Sequence, residues 1–564
     1  MTTTHSFRRF RRGAMTAIVA VAGIVAATAT LAAVPTPQPL LTSNQLLAQA
    51  APDECFDGLG VDYPPISPDG TCTQGEPKFN QSYIWGLTEQ GGKLWFGTMS
   101  NAACILDGMA GGEPMANGLF ACEFGTGEFA REHPAIPPSL GDWRMPVIYS
   151  WDLDTGQLVN RLPNSSLLKN TLGFRGAGSI DNIAFLAGPS LSGASVNFFA
   201  FRADTGRLLG ACTRTDYNYI RSWKLVDGVL YVGVGSETRG GVLRWDGAPT
   251  LPSGNFCGRF SEVGRPSADV ANLAMYVDGN GNHRLAATTV PIRSSSGADG
   301  ASIGVWISPP IPAGGLTANE ADQWQQVWSP SQYDPDVIMS RFGYSGGAVQ
   351  YFDGWLYWGT IHLQNSKALS IHENCSRSYC FGMPANLQEA QQLAQGIYRS
   401  TSFWRGRNLE DPGTREIQLL YGESELPAVV APKTFETKPT GWTPLYGPSG
   451  FGNPSNEYTW QMAVFDGRLY IGTFDAAVLQ SDTSDQYGAD LWRIDSSDSP
   501  AVNEDYSGLG DRYNYGIRIL YPLDDGSGVI AGMANPFNLA AGGGWELRLL
   551  KEGAPATKKT AAKR

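Results

Sequence analysis

One pattern of apolar and polar positions returns along the chain. An alternating apolar run leads into a polar turn, and a second run rich in aromatics ends in glycine. The clearest copies are TEQGGKLWFGT ending at Thr98, KLVDGVLYVGV ending at Val234, VQYFDGWLYWGT ending at Thr360 and AVFDGRLYIGT ending at Thr473. Alternation with a period of two marks a half-buried strand, and Asp-Gly or Gly-Gly supplies the positive φ of a tight turn, so each copy predicts a hairpin. Weaker copies are NIAFLAGPSLSGASVNFFAF around Gly188, AMYVDGNGNHRLAATT around Asp278 and RILYPLDDGSGVIAGMA around Asp525, which brings the count to seven. Most copies are followed by a second pair of strands, seen in VIYSWDLDTGQL, FFAFRADTGRLL, GGVLRWDG, GVWISPP, GIYRSTSF, GADLWRID and GGWELRLL.

Four antiparallel strands repeated seven times over residues 83–550 predict an all-β chain, a single seven-bladed β-propeller of four-stranded antiparallel blades. Stacked all-β domains or a sandwich array are the alternative. GGWELRLL is the expected outer strand of the last blade. Two blades carry long insertions, one holding Cys104 and Cys122 and one running over residues 402–454. The other segments are a signal peptide and leader (1–50), an extension bearing a disulfide (51–82), and a basic tail without core-forming residues (551–564), expected to be disordered.

The phrases SWDLDTGQL and AFRADTGRL place Thr155-Gly156 and Thr205-Gly206 where an outer hairpin would close. Here the chain resembles the quinoprotein-like and kelch-like superfamily of propellers. GMANPFNL followed by GGWELRLL is similar to the terminal blade of secreted bacterial propeller proteins. The quinoprotein resemblance implies a pyrroloquinoline quinone site. No two cysteines are adjacent and no Cys-x-x-Cys-His occurs, so neither a vicinal disulfide nor a c-type haem attachment is encoded, and no cofactor is expected on this ground. The shared motifs are structural and specify no chemistry.

Composition adds the compartment. The first 50 residues contain no Asp, Glu or Lys, carry Arg8, Arg9, Arg11 and Arg12, and run apolar from Ala14 to Val34. This is the layout of a secretory signal, with candidate cleavage after Ala29, Ala33 or Ala50. An uncleaved anchor helix and a paired-Arg export signal are the alternatives, and no other segment could span a membrane. All eight cysteines lie beyond Ala50, as expected of disulfides in a secreted or periplasmic protein. Loop-closure entropy favours neighbours, predicting Cys55–Cys72, Cys104–Cys122, Cys212–Cys257 and Cys375–Cys380. With 53 acidic against 41 basic residues the formal charge is −12, which argues against nucleic acid as a partner.

No nucleophile elbow or Walker loop is present. His362, His372, Cys375 and Cys380 fall close enough to suggest zinc, but a Cys375–Cys380 disulfide competes for the same thiols, so no metal is assigned. Asp278, Asn280 and Asn282 alternate like calcium ligands on a hairpin turn, the alternative being a plain Asn- and Gly-rich turn. In a propeller the first strand of each blade lines the axial channel. Aligned on the turns, Trp85, Asn182, Arg221, Asn272, Gly347 and Trp460 fall at one level with Arg518 close to it, and Tyr83, Asp181, Tyr219, Glu457, Tyr458 and Tyr515 are neighbours at the strand mouths. Aromatic faces stack on sugar rings and arginine forks grip carboxylates, so the expected ligand is a carbohydrate or a carboxylate-bearing molecule. The expected role is a binding or scaffold protein for an extracellular polymer or a cell-surface protein. The alternative is an extracellular lyase or hydrolase acting on polysaccharide at the same funnel, and mutual satisfaction of these polar groups in a structural channel is the third possibility.

Overall fold

A computed structural model describes residues 36–109, 111–163, 165–247, 256–291, 303–362, 366–480 and 488–553. Most of the predicted signal (1–35) and most of the tail (554–564) lie outside the described residues. The chain is mostly β. Strands Gly176–Ile180, Ile183–Pro189, Val196–Arg202 and Leu208–Arg214 form one four-stranded antiparallel sheet; Tyr219–Val226, Val229–Gly235, Gly240–Trp245 and Phe260–Gly264 form a second; and Asp269–Val277, His283–Val290, Val305–Ile307 and Gln325–Trp328 form a third. The largest sheet has 16 strands, built from four-strand antiparallel runs in which the second strand of one run meets the first strand of the next through the single pairings Ile361↔Tyr458, Phe474↔Gly516 and Ala534↔Tyr83; three two-stranded sheets complete the set. Among the described residues no sheet closes on itself.

The first strands of these units touch in succession. Gln81–Gln90 contacts Gly176–Ile180, which contacts Tyr219–Val226, then Asp269–Val277, Ser345–Phe352, Asn456–Phe465 and Gly516–Pro522, and the last of these touches Gln81–Gln90 again. The glycine that ends each repeat phrase explains how they approach so closely. A Cβ on Gly97 would come within 2.3 Å of Phe174, one on Gly359 within 2.3 Å of Thr459, and one on Gly233 within 2.6 Å of Val270. Each of these contacts is with the unit that follows, so the glycine is a packing residue between sheets. Apolar clusters fill the spaces between successive sheets, with Trp95, Trp358, Trp404 and Trp545 fully buried.

Three expectations about organisation change. First, Asp181 and Asn182 both have positive φ (50° and 62°) and form the turn between Gly176–Ile180 and Ile183–Pro189. The copy placed around Gly188 is therefore the second hairpin of its unit; its true first turn contains no glycine. Second, Glu546–Lys551 is not an outermost strand. Ser43–Gln49 pairs antiparallel with it, so the last residues assigned to the leader complete this sheet. Third, Phe403–Arg407 pairs with Trp355–Ile361 and Glu416–Tyr421 pairs with Phe403–Arg407, so the segment 402–454 is not one insertion. Helices Ser366–Asn374 and Leu387–Ile397 are inserted before these strands and the hairpin Glu425–Ala431/Thr434–Pro439 after them. In both of the last two cases the pairing is long-range and leaves no turn signal in the sequence.

The disulfides Cys55–Cys72, Cys104–Cys122, Cys212–Cys257 and Cys375–Cys380 are all formed as local spacing predicts. The extension bearing the first of them is held to the insertion bearing the second by a buried charge network. Lys78 Nζ lies 2.7 Å from Glu123 Oε2 and 3.2 Å from Glu54 Oε2, and Arg144 Nε lies 2.5 Å from Glu54 Oε1. Burial pushes the Glu54 carboxyl up, but Lys78 and Arg144 outweigh it and hold the group at about 2. No helix among the described residues is long and apolar enough to cross a membrane.

Candidate functional site

The first strands share an irregularity that the sequence does not display. Pairing with the second strand shifts register between Ile84 and Gly86, Ile220 and Trp223, Val270 and Asn272, Gly346 and Val349, Thr459 and Gln461, and Ile517 and Ile519. Each shift is a β-bulge, which leaves a residue out of the ladder and re-aims its side chain. Trp85, Arg221, Gly347, Trp460 and Arg518 are residues so displaced. The short strand Gly176–Ile180 pairs without a shift, and the residue just before it, Arg175, stands six positions ahead of the turn, as Arg221 and Trp460 stand ahead of theirs.

Arg175 joins the others in space. Its Cζ lies 4.5 Å from the centroid of Tyr219 and 5.4 Å from that of Trp85, while Arg518 Cζ lies 5.6 Å from Trp460. Tyr83 packs at 5.9 Å against both Trp460 and Tyr515. Guanidinium groups over aromatic faces gain from the ring quadrupole, more so when desolvated. Arg221 and Arg518 are only 7% and 4% exposed. Burial, then Arg221, then Arg175 push Arg518 down from its ordinary range. Among the described residues neither Arg221 nor Arg518 forms a salt bridge, and Arg221 Nε and Nη2 and Arg518 Nε are buried without an acceptor.

The other predicted residues divide into two groups. Asn272 donates through Nδ2 to the carbonyl of Gly347 at 2.7 Å, and Thr288 Oγ1 donates to the same carbonyl at 2.6 Å, so this side of the cluster is neutral and satisfied. Glu457 is buried with Oε2 unpartnered, and burial with the neighbouring Asp475 raises it to about 8. It forms no ion pair with Arg221 or Arg518 among the described residues. Asn182 and Asp181 do not belong to the site; they occupy the turn at the far end of their strand, because alignment on Gly188 put them one strand out of place. Arg175 is the residue missed, and the signal that finds it is Asp-Asn used as a tight turn, since Asn tolerates positive φ nearly as glycine does.

The side chains at the candidate metal positions contact other protein groups. Asp278 accepts from the amides of Asn280 and Asn282, from Asn282 Nδ2 and from Arg284 Nε at 2.8 Å. His362 contacts the carbonyl of Gly343 and Thr360 Oγ1, while His372 Nε2 lies 3.3 Å from Asp336 Oδ1, and the nearby thiols are joined as Cys375–Cys380.

No protein-family model and no curated protein matches this sequence. Among solved structures, the chain is similar to the polysaccharide lyase Uly1 (10% identity, TM-score 0.39, 91% of this chain and 99% of that one) and to Kuenenia stuttgartiensis hydrazine synthase (10%, 0.39, 86% and 100%). It is similar also to the Dos1 propeller (8%, 0.36, 72% and 87%). At these scores none of the likenesses bears on the chemistry of this chain.

Proposed function

We propose that this chain is a secreted, single seven-bladed β-propeller that binds an acidic extracellular ligand, a carbohydrate or other carboxylate-bearing molecule, at the axial mouth of the ring and acts as a binding or scaffold protein. The ring reading is supported by the succession of first strands and the return of the last to the first. Export is supported by four disulfides, which persist in oxidising compartments.

One observation carries the ligand reading: two buried arginines are aimed by β-bulges into an aromatic setting, with guanidinium N–H groups that meet no acceptor and no carboxylate among the described residues. A buried cation without a partner is costly, and an anionic ligand relieves that cost. Affinity measurements on the mature protein with acidic and neutral oligosaccharides test this. Acidic ones are expected to bind, and Arg221→Ala is expected to weaken binding by about 1–3 kcal/mol, the loss of a charge-assisted hydrogen bond. Equal binding of acidic ligands by parent and variant leaves the arginines a structural role only. Enzymatic action on polysaccharide is the second reading, favoured by Glu457, a buried carboxyl beside Tyr458 that burial and Asp475 raise to about 8. Turnover of an oligosaccharide that is lost in Glu457→Gln separates an enzyme from a binder.

A further inference from the structure

The aromatic residues Tyr83, Trp85, Tyr458, Trp460, Phe474 and Tyr515 belong to one buried cluster, and two pieces of chain cover it. Ile105 and Trp143 lie on the insertion pinned by Cys104–Cys122. Ala476, Val478 and Leu479 form the second cover, just beyond the strand Arg468–Asp475. This short segment is fastened at its start. The Ala476 amide donates to the carbonyl of Ser455 at 2.9 Å and the Ala477 amide donates to Asp475 Oδ1 at 2.7 Å.

Three carboxyls meet beside that fastening. Asp475 Oδ2 accepts from Asn453 Nδ2 at 2.8 Å. Asn456, the partner of Asp475 across the ladder, donates through Nδ2 to Asp490 Oδ2 at 2.6 Å, and Trp492 Nε1 donates to the same oxygen at 3.2 Å. Glu457 is the residue left out of the ladder between Asn456 and Tyr458. The three acids are at most 5% exposed, and among the described residues none of them forms a salt bridge. Asp490 Oδ1, Glu457 Oε2 and Asn456 Oδ1 are all buried acceptors that meet no donor. Protons supply what is missing, because a protonated carboxyl donates where a carboxylate only accepts.

The elements packed around the three acids bring them no free cation. Arg399 is paired with Asp334, and Arg493 with Glu504 and Asp495. The His362 amide donates to the Glu457 carbonyl, but its ring contacts Gly343 and Thr360. Tyr398 donates to the carbonyl of Pro454, and Tyr458 and Tyr515 pack against Phe474. Burial raises all three carboxyls above their ordinary range, and Asp475 raises Glu457 and Asp490 further. We propose that this clasp is a pH-operated latch on the aromatic cluster: Asp475 holds the segment Ala476–Leu479 in place, and ionisation of Asp490 and Glu457 beside it drives Asp475 out and frees the segment. The released protons pass to water, and the open segment lets water reach the new charges. The latch concerns access to the cluster and is independent of which ligand binds there. Because opening returns the carboxyls towards their ordinary range, it becomes easier as pH rises from that range to about 8 and gains nothing further above it.

The test is amide hydrogen exchange of the mature protein at about pH 6 and about pH 9, corrected for the intrinsic rise of exchange with pH. The amides of Ala476–Leu479 should lose about tenfold or more of their protection at the higher pH, the effect of one pKa unit on an equilibrium, while those of Ile183–Pro189 in another sheet keep theirs. Asp490→Asn and Glu457→Gln keep the shape of a neutral acid and cannot ionise. Each should preserve most of the protection at the higher pH, and the double variant all of it. Asp475→Asn, which still offers the Ala477 amide an oxygen, should preserve it as well. Equal protection of the segment at both pH values in the parent overturns the latch, whether or not any variant folds. A loss that Ile183–Pro189 shares to the same extent overturns it too, since that is loosening of the whole fold. So does a loss that persists undiminished in both Asp490→Asn and Glu457→Gln.

Discussion

Burial acts on acids of this protein as well as on its arginines. Glu457 and Asp490 are both raised to about 8 and Asp475 to about 6, through burial first and, for Glu457 and Asp490, through Asp475 next. Asp490 accepts from Asn456 Nδ2 at 2.6 Å and Asp475 from Asn453 Nδ2 at 2.8 Å, so neutral amides rather than cations face them. The sign of the linkage follows. A carboxyl whose pKa is higher in the folded chain than in the unfolded one holds its proton longer when folded, so stability falls as pH rises from the ordinary carboxyl range to about 8. Glu457→Gln removes one such group. Urea unfolding at mildly acidic and mildly alkaline pH should show a smaller loss of stability for the variant than for the parent; an unchanged slope would mean that Glu457 is already ionised in the fold.

At the scale of elements, the strand Ser43–Gln49 has the clearest consequence. It covers the edge of Glu546–Lys551, and the chain just before it is tied down as well: the amides of Leu40 and Leu41 donate to Glu504 Oε2 at 2.8 and 3.1 Å, and that of Gln38 donates to the carbonyl of Asn503 at 2.8 Å. Signal cleavage after Ala50 would remove this strand and expose an open sheet edge, whereas cleavage after Ala29 or Ala33 would keep it. An unpaired edge invites pairing with another chain. A protein beginning at Ala51 should therefore unfold at a lower temperature than one beginning at Thr36 and should elute as larger species in size-exclusion chromatography. Identical melting and elution would show that the strand contributes nothing to the sheet it borders.

For the molecule as a whole, charge is distributed unevenly. The chain carries a formal charge of −12, yet Arg221 and Arg175 are the two cations that act on the buried Arg518, so positive charge is concentrated around these strands. An incoming anion meets repulsion at long range and attraction only on arrival. Salt screens exposed charges over about 10 Å at 0.1 M and buried pairs much less. Association of an acidic ligand should accordingly speed up as ionic strength rises while its dissociation rate changes little, the reverse of the usual steering by opposite charge. Stopped-flow measurements across a salt series check this, and an association rate that falls with salt would mean that a basic surface leads to the mouth.

The sequence by itself determined the strand-turn-strand units and the local disulfides, because both depend on neighbours in the chain. Alternation, an Asp-Gly turn and short cysteine spacings act over few residues, and the turns at Asp227, Asp353 and Asp466 all adopt the positive φ that the pattern demands. The glycine after each aromatic strand was visible too, but its reason is contact with the next sheet, which only packing supplies. The tertiary structure decided three further features. It decided where the first strands bulge, and so which residues leave the ladder; that Arg175 lies over Trp85 and Tyr219 while Asn182 sits in a turn; and that Ser43–Gln49 completes the last sheet. Bulge position and outer-strand pairing are set by hydrogen bonds between segments far apart in sequence, up to the span from Ser43 to Lys551, and a pattern confined to neighbouring residues carries no record of them.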